Sequence, residues 1–268
     1  MTAPAAEPVE AATVILLRSA ATPGGFECFM VRRPARSDFA ADVFVFPGGR
    51  VEDADRASMG APGGPAAATV LRGLVQPWSL YLEFRIAAIR EAFEEAGVLL
   101  ASDQSGEMVR FDTPDRRDRF ARYRRTVHDG THTIFFVVQR EHLRLAVDRL
   151  HLLSRWITPA TMPRRFDTYF FVAEMPEGQA PLHDSVETVD STWVSPRTAL
   201  DRFQAGDFPL VFATEKHLDR LAQFDSVAAV FESATSADLT PIQPRPINRD
   251  GGTAFLIPGD PGYDETPA

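Results

Sequence analysis

Three carboxylates stand at i, i+3 and i+4 in the run Arg90-Glu91-Ala92-Phe93-Glu94-Glu95-Ala96-Gly97-Val98. On an α-helix these spacings put Glu91, Glu94 and Glu95 on one face, where they repel one another. A hard divalent cation with oxygen ligands relieves that repulsion best, so the run suggests a Mg²⁺ or Mn²⁺ site. A metal of that kind suggests phosphate chemistry in turn. Without further context, three such acids are more often a solvated helix face.

The elements that would position them can be read outward from this run. Apolar residues Leu82, Ile86, Ile89, Ala92, Phe93 and Ala96 gather on one side of a helix predicted over 79–96. Glu83, Arg90, Glu91, Glu94 and Glu95 take the other side, and Gly97 suits the left-handed residue that closes a helix. Upstream, Thr13–Leu17, Glu27–Arg32 and Val43–Phe46 read as strands, the last stopped by Pro47-Gly48-Gly49. Residues 53–77 have loop composition, rich in Ala, Gly and Pro. Downstream, helices are predicted over 115–127, 133–150, 196–204 and 215–232, and strands over 152–158, 168–173 and 192–195. Strands interspersed with helices make the class α/β or α+β.

Composition narrows the function classes. The chain has 268 residues, 44% of them hydrophobic, enough for a sizeable core. A net charge of −9 argues against general nucleic-acid binding. No apolar run reaches the ~18 residues a membrane span needs. The start lacks a basic segment followed by an apolar stretch, so a cytoplasmic protein is expected. Cys28, the single cysteine, sits between Phe26 and Met30 and reads as a packed strand residue rather than a nucleophile.

The strand ending Phe46-Pro47-Gly48-Gly49 and the acidic helix together resemble the Nudix hydrolase family, whose box is G-x5-E-x7-R-E-U-x-E-E-x-G-U with U apolar. Arg90, Glu91, Glu94, Glu95 and Gly97 fill its second half, with Ala92 and Val98 at the two apolar positions. The first half departs from the pattern. Counting from Gly49, the Glu position falls on Asp55, and Arg90 lies 35 positions further on where the pattern has eight. Residues 56–78 therefore form an insertion, and Glu83 is a second candidate for the missing acid. A split box of this kind is similar to the coenzyme A diphosphatase-like branch related to the mammalian peroxisomal enzyme. The segments Val31–Ser37, Arg155–Pro159 and Arg164–Thr168 support that likeness. The short signature for coenzyme A substrates is departed from, with Asp38 and Asp42 where it has Arg and Gly.

The resemblance implies an α/β/α sandwich with a mixed sheet and extra helices, and metal-dependent hydrolysis of a diphosphate in a small nucleotide derivative. Coenzyme A or acyl-coenzyme A is the favoured substrate; ADP-ribose- or NADH-type conjugates, or a non-catalytic nucleotide sensor, are the alternatives. It implies Glu91, Glu94 and Glu95 as metal ligands for Mg²⁺ or Mn²⁺, with Glu91 and Glu94 also catalytic. Glu187, in a loop before the last strand, is the expected general base, with Asp190 behind it. Arg33, Arg36 and Arg165 are candidate phosphate clamps, or else structural ion pairs. Gly48 and Gly49 let backbone approach helix and ligand. Trp156 and Phe166 are core residues or base-stacking platforms. The Arg-rich stretch 116–125 is a solvated helix or an anion collector, and His128 with His132 is weighed as a metal pair and set aside. The expected organisation is a loose tail over 1–12, a Nudix domain over 13–239 with a helical insertion at 112–150, and an irregular tail over 240–268. Nucleic acid and membrane are excluded as partners, and a homodimer is allowed for.

Overall fold

Alternation along one strand sorts the hydrophobic residues of this chain into two cores. In β1 (Val9–Ser19), Ala12, Val14 and Leu16 point to one face and Ile15 and Leu17 to the other, all fully buried. A strand buried on both faces must be central, and β1 is. The computed structural model describes residues 6–20, 25–36, 41–57, 81–184, 186–249 and 252–266. Within them the chain continues through β2 (Phe26–Arg32), β3 (Phe44–Val45), β4 (Gly48–Arg50), α1 (Asp53–Ala57), α2 (Leu82–Ala96) and β5 (Ala101–Ser102). Next come α3 (Pro114–His128), α4 (Ile134–Arg140), β6 (Arg144–Leu145), a 3₁₀ turn (Val147–Arg149), β7 (His151–Ile157), β8 (Phe166–Glu174) and β9 (Asp190–Val194). The last elements are α5 (Pro196–Gln204), α6 (Phe212–Leu221), α7 (Val227–Thr235), β10 (Arg245–Arg249) and β11 (Gly252–Leu256).

The main sheet runs β3-β2-β1-β8-β7, with β4 paired to β1 and β9 to β2. β1 and β8 are parallel, from Val9↔Phe166 to Leu17↔Glu174, and the other pairings are antiparallel. The sheet is therefore mixed, as expected. One face packs against Ile86, Ile89, Ala92 and Phe93 of α2 and the buried residues of α3 and α4. The other packs against Ala199, Leu218, Leu221 and Val230 from α5, α6 and α7. Cys28 lies in this second core, its thiol donating to Val194 O at 3.3 Å and pushed up to about 12 by burial, which fits the structural reading.

Local signals set several ends. Thr113 caps α3 ahead of Pro114, and Ser195 caps α5 ahead of Pro196. Gly97, at φ 68°, closes α2, with Gly97 N–H donating to Phe93 O and Val98 N–H to Ala92 O, both at 3.1 Å.

Four expectations are corrected. The sheet begins at Val9, so residues 9–12 are strand rather than tail, held by Val9 N–H on Arg165 O at 2.9 Å. The helix expected over 133–150 stops at Arg140; Leu143, Leu145 and Val147 are buried at period two, and β6 pairs with β5. The helix expected over 215–232 is two helices, because Ser226 caps a new one by accepting from Ala229 N–H at 3.2 Å. The C-terminal segment is not irregular: Ile242 pairs with β7 beside Trp156, and β10 and β11 form a hairpin. The box insertion beyond Ala57, and Ser79 and Leu80, lie outside the described residues.

Phe93 joins the acidic helix to the sheet at 1% exposure. Phe93→Ala is expected to lower the unfolding free energy by about 3–5 kcal/mol. Urea denaturation followed by circular dichroism measures this as a lower midpoint at unchanged slope.

Candidate active site on the acidic helix

Side chains that the amphipathic pattern by itself would leave in solvent are buried. Arg90 is 4% exposed, Glu91 7% and Glu95 3%. The cover is β4, whose glycines lie directly on the helix. A Cβ on Gly48 would stand 2.6 Å from Ala12 O in β1, so that position accepts no side chain, and one on Gly49 would stand 2.6 Å from Glu91 Cδ and displace its carboxylate. Close approach, not unusual backbone torsion, is what demands glycine here. The approach lets Gly48 N–H donate to Glu95 Oε2 at 2.9 Å.

Arg90 is the hub. Its Nε and Nη2 donate to the two oxygens of Asp55 at 3.1 Å, Nη1 to Glu91 Oε1 at 2.9 Å, and Nη2 also to Arg50 O at 2.7 Å. Glu94 is a looser partner, at 3.4 Å. Asp55 is 1% exposed and accepts from Glu52 N–H at 2.9 Å. The first-half acid of the box is therefore Asp55, brought to Arg90 across the insertion. Glu83, in the first turn of α2, is not among the partners of Arg90.

Burial raises Glu91 to about 7 against the opposing charge of Arg90, and raises Glu94 to about 7 in the same way. Glu95 is pushed well up by burial and by Glu91, opposed by Gly48 N–H and Arg33. Burial works against the charge of Arg90, but Glu91, Asp55 and Glu94 outweigh it and hold the guanidinium firmly protonated. One cation thus serves several buried acids, and negative charge is left over.

That surplus fits a divalent cation, and Glu91, Glu94 and Glu95 are the side chains that could hold one. Among the described residues no group of three or more His, Cys, Asp or Glu side chains, these three included, is already placed to hold a metal ion. Mg²⁺ sites are commonly of this open kind, with one or two carboxylates completed by water and substrate phosphate.

Glu187 is exposed, and its charge adds to the rise at Glu91, Glu94 and Glu95, so its loop faces the acidic helix. Asp184 shapes that loop, accepting at Oδ1 from Thr188 N–H and Oγ1 at 2.8 and 2.7 Å and at Oδ2 from Glu187 N–H at 3.0 Å. These donors outweigh burial and hold Asp184 below its usual range. From the other side Arg124 donates to Glu94 O at 2.8 Å, at the C-terminal end of α2 where a cation is favoured. His128 lies 4.0 Å from Asp184. Sequence reasoning weighed Arg124 only within the Arg-rich stretch and missed the role of Asp184; only the Asp-x-x-Glu spacing of 184–187, a helix-cap pattern, hinted at the second.

Other candidates fall in different places. Arg33 lies near Glu95, and its Nε is buried with no hydrogen-bond partner. Arg36 is exposed at the end of a described segment. Arg165 donates to Thr158 O at 3.0 Å and Ala6 O at 2.8 Å, so it ties the N-terminal strand down. Asp190 opens β9 and accepts from Ser191 N–H at 2.8 Å. Of the Arg-rich stretch, Arg119 pairs with Glu141 at 3.0 Å and Arg117 reaches Phe111 O, while Arg122 and Arg125 are exposed. His132 stacks on Phe136 at 3.9 Å. Trp156 and Phe166 both line a cavity beside the site.

With this geometry in hand, the family match is specific: the NUDT19 Nudix domain family covers residues 72–220, and the chain belongs to it. The acyl-coenzyme A diphosphatase NUDT19 of Gallus gallus is 30% identical over 96% of this chain and 80% of its own length. The Homo sapiens protein of the same description is 28% identical over 90% and 73%. In fold, a NUDIX hydrolase from Alicyclobacillus acidocaldarius superposes with a TM-score of 0.66, at 24% identity over 88% of this chain and 99% of that one.

The raised carboxyls give a signed pH dependence. Between about 4.5 and 7 the folded chain holds protons on Glu91 and Glu94 that the unfolded chain has released. Stability without divalent cation is therefore expected to fall as pH rises through that window. A saturating divalent cation, which favours the ionised acids, is expected to flatten the fall. Thermal unfolding across the window, in chelator and in Mn²⁺, checks both.

Proposed function

We propose that the protein hydrolyses the diphosphate of coenzyme A and its acyl derivatives, using Mg²⁺ or Mn²⁺ held by Glu91, Glu94 and Glu95. The observation that carries this reading is the surplus of buried carboxylate on one helix face, under a glycine strand and beside an unsatisfied arginine. The substrate class is supported by the similarity to acyl-coenzyme A diphosphatases over nearly the whole chain. A cation there supplies charge neutralisation at the diphosphate.

The chain's own residues do the rest. Arg33 offers its unpaired Nε to a phosphate oxygen, and Arg36, further out, offers a second guanidinium. Gly48 and Gly49 keep the backbone low enough for the diphosphate to reach the acids. Glu187, held on its loop by Asp184, accepts a proton as water attacks phosphorus and the P–O–P bond breaks. Arg90 fixes Glu91 and steadies Glu94, so these carboxylates need little reorganisation. The products are two phosphomonoesters. No helix among the described residues is long and apolar enough to cross a membrane. A cytoplasmic site of action is part of the same proposal.

Purified protein with Mg²⁺ or Mn²⁺ is expected to convert octanoyl-coenzyme A into adenosine 3′,5′-bisphosphate and octanoyl-phosphopantetheine, separated by chromatography. Glu95→Gln is expected to lower the rate by at least about 10²-fold, and Glu187→Gln to lower kcat by about 10²–10⁴-fold. Wild-type turnover by Glu95→Gln would remove the site assignment. Faster cleavage of ADP-ribose or NADH would move the substrate class.

A further inference from the structure

A cavity of about 570 Å³ opens beside the acidic helix on the sheet's other side. At one end stand Gly48, whose N–H holds Glu95, and Arg33, with its unpaired buried Nε. The remaining walls are mostly carbon, with Trp156 and Phe170 from the sheet, Val211 and Phe212 at the start of α6, and Met162 and Phe255 towards the outside. The outer wall is built by the C-terminal segment. Ile242 N–H donates to Arg155 O at 2.8 Å and Ile157 N–H to Ile242 O at 2.9 Å. The hairpin that follows sets the Phe255 ring 5.3 Å from that of Phe212.

The wall at Trp156 is held by a directional chain of hydrogen bonds. A backbone carbonyl only accepts, so the contact of His217 Nδ1 with Ala213 O at 2.6 Å places the proton on Nδ1. Nε2 is then the acceptor for the Ser154 hydroxyl at 2.8 Å, and Ser154 Oγ accepts from Trp156 Nε1 at 3.2 Å. All three side chains are buried, and burial lowers His217 to about 4, which keeps the ring neutral. The same imidazole stacks on Phe170 at 4.0 Å. The chain satisfies every polar atom it contains and fixes the indole as a rigid surface of the cavity.

A space charged at one end and apolar along its length fits a molecule built the same way. Resting on the coenzyme A reading above, we propose that this cavity receives the pantetheine-and-acyl arm of the substrate, leaving the nucleotide half outside it. A nucleobase is the poorer occupant. Its hydrogen-bonding edge needs several partners, and the polar side chains of the lining are limited to Arg33 and the single hydroxyls of Thr13, Thr158, Thr168 and Thr214. Trp156, Phe212 and Phe255 do not form a parallel slot for stacking, since Trp156 and Phe212 cross at 71° and Phe212 and Phe255 at 40°. A flexible aliphatic arm needs neither.

The two hydrolysis products separate the halves of the substrate, so each serves as an inhibitor of the full-length enzyme. Phe212→Ala and Phe255→Ala are each expected to raise the inhibition constant of octanoyl-phosphopantetheine by about tenfold. Inhibition by adenosine 3′,5′-bisphosphate is expected to change less than about twofold. Phe255 lies on the outer hairpin, so its variant tests the cavity even if Phe212→Ala fails to fold. A rise confined to the nucleotide product would put the base in the cavity and overturn the inference, as would no change for either product. Both leave the coenzyme A reading standing if wild-type protein still cleaves octanoyl-coenzyme A. Wild-type protein that neither cleaves it nor binds either product would overturn both.

Discussion

One guanidinium among more carboxylates than it can neutralise organises the centre of this molecule. Arg90 binds Asp55 through two donors, Glu91 through a third and Glu94 loosely, while Glu95 sits deeper with a single backbone N–H. Buried charge of one sign is costly unless it is paired, and truncating one partner of a buried pair leaves the others exposed to that cost. The arrangement therefore constrains its surroundings. Gly48 and Gly49 let β4 fit between β1 and the helix, α1 must bring Asp55 into reach, and the acids that Arg90 does not neutralise must hold protons or meet a cation.

The parts of the chain outside the box serve that centre. Helix α3 sends Arg124 to the C-terminal carbonyls of α2 and places His128 near Asp184, while Asp184 folds the loop that carries Glu187. Of the Arg-rich stretch, Arg124 and Arg119 thus serve as scaffolding, while Arg117, Arg122 and Arg125 face solvent. On the opposite face, α6 and the C-terminal hairpin close an apolar space against Trp156. The charged chemistry and the apolar recognition meet at Gly48 and Arg33.

Local spacing made much of this legible from sequence. The i, i+3, i+4 acids, the alternating strands and the Ser195-Pro196 start of α5 are decided by neighbours in the chain, and the structure places them as read. Glu91 and Glu95 lie side by side on the helix, with Arg33 near Glu95. Contacts set by packing were less legible. Nothing local could choose Asp55 over Glu83 as the partner of Arg90, because the insertion hides their proximity. The burial of Glu91 and Glu95 depends on a glycine strand 40 residues upstream, and the amphipathic pattern by itself suggested solvent. Arg165 looked like a phosphate ligand by type, yet its donors meet the carbonyls of Thr158 and Ala6. The prolines of the last segment masked both the β10–β11 hairpin and the pairing of Ile242, just before it, with Trp156 far away in sequence.

Direct titration of Mn²⁺ into the full-length protein, followed by the electron paramagnetic resonance of the free ion, tests the charge balance itself. Wild-type protein is expected to bind Mn²⁺, and Glu91→Gln and Glu95→Gln each to weaken that binding by at least about tenfold. Unchanged Mn²⁺ affinity in both variants would show that these buried acids do not depend on a cation, and would contradict the account.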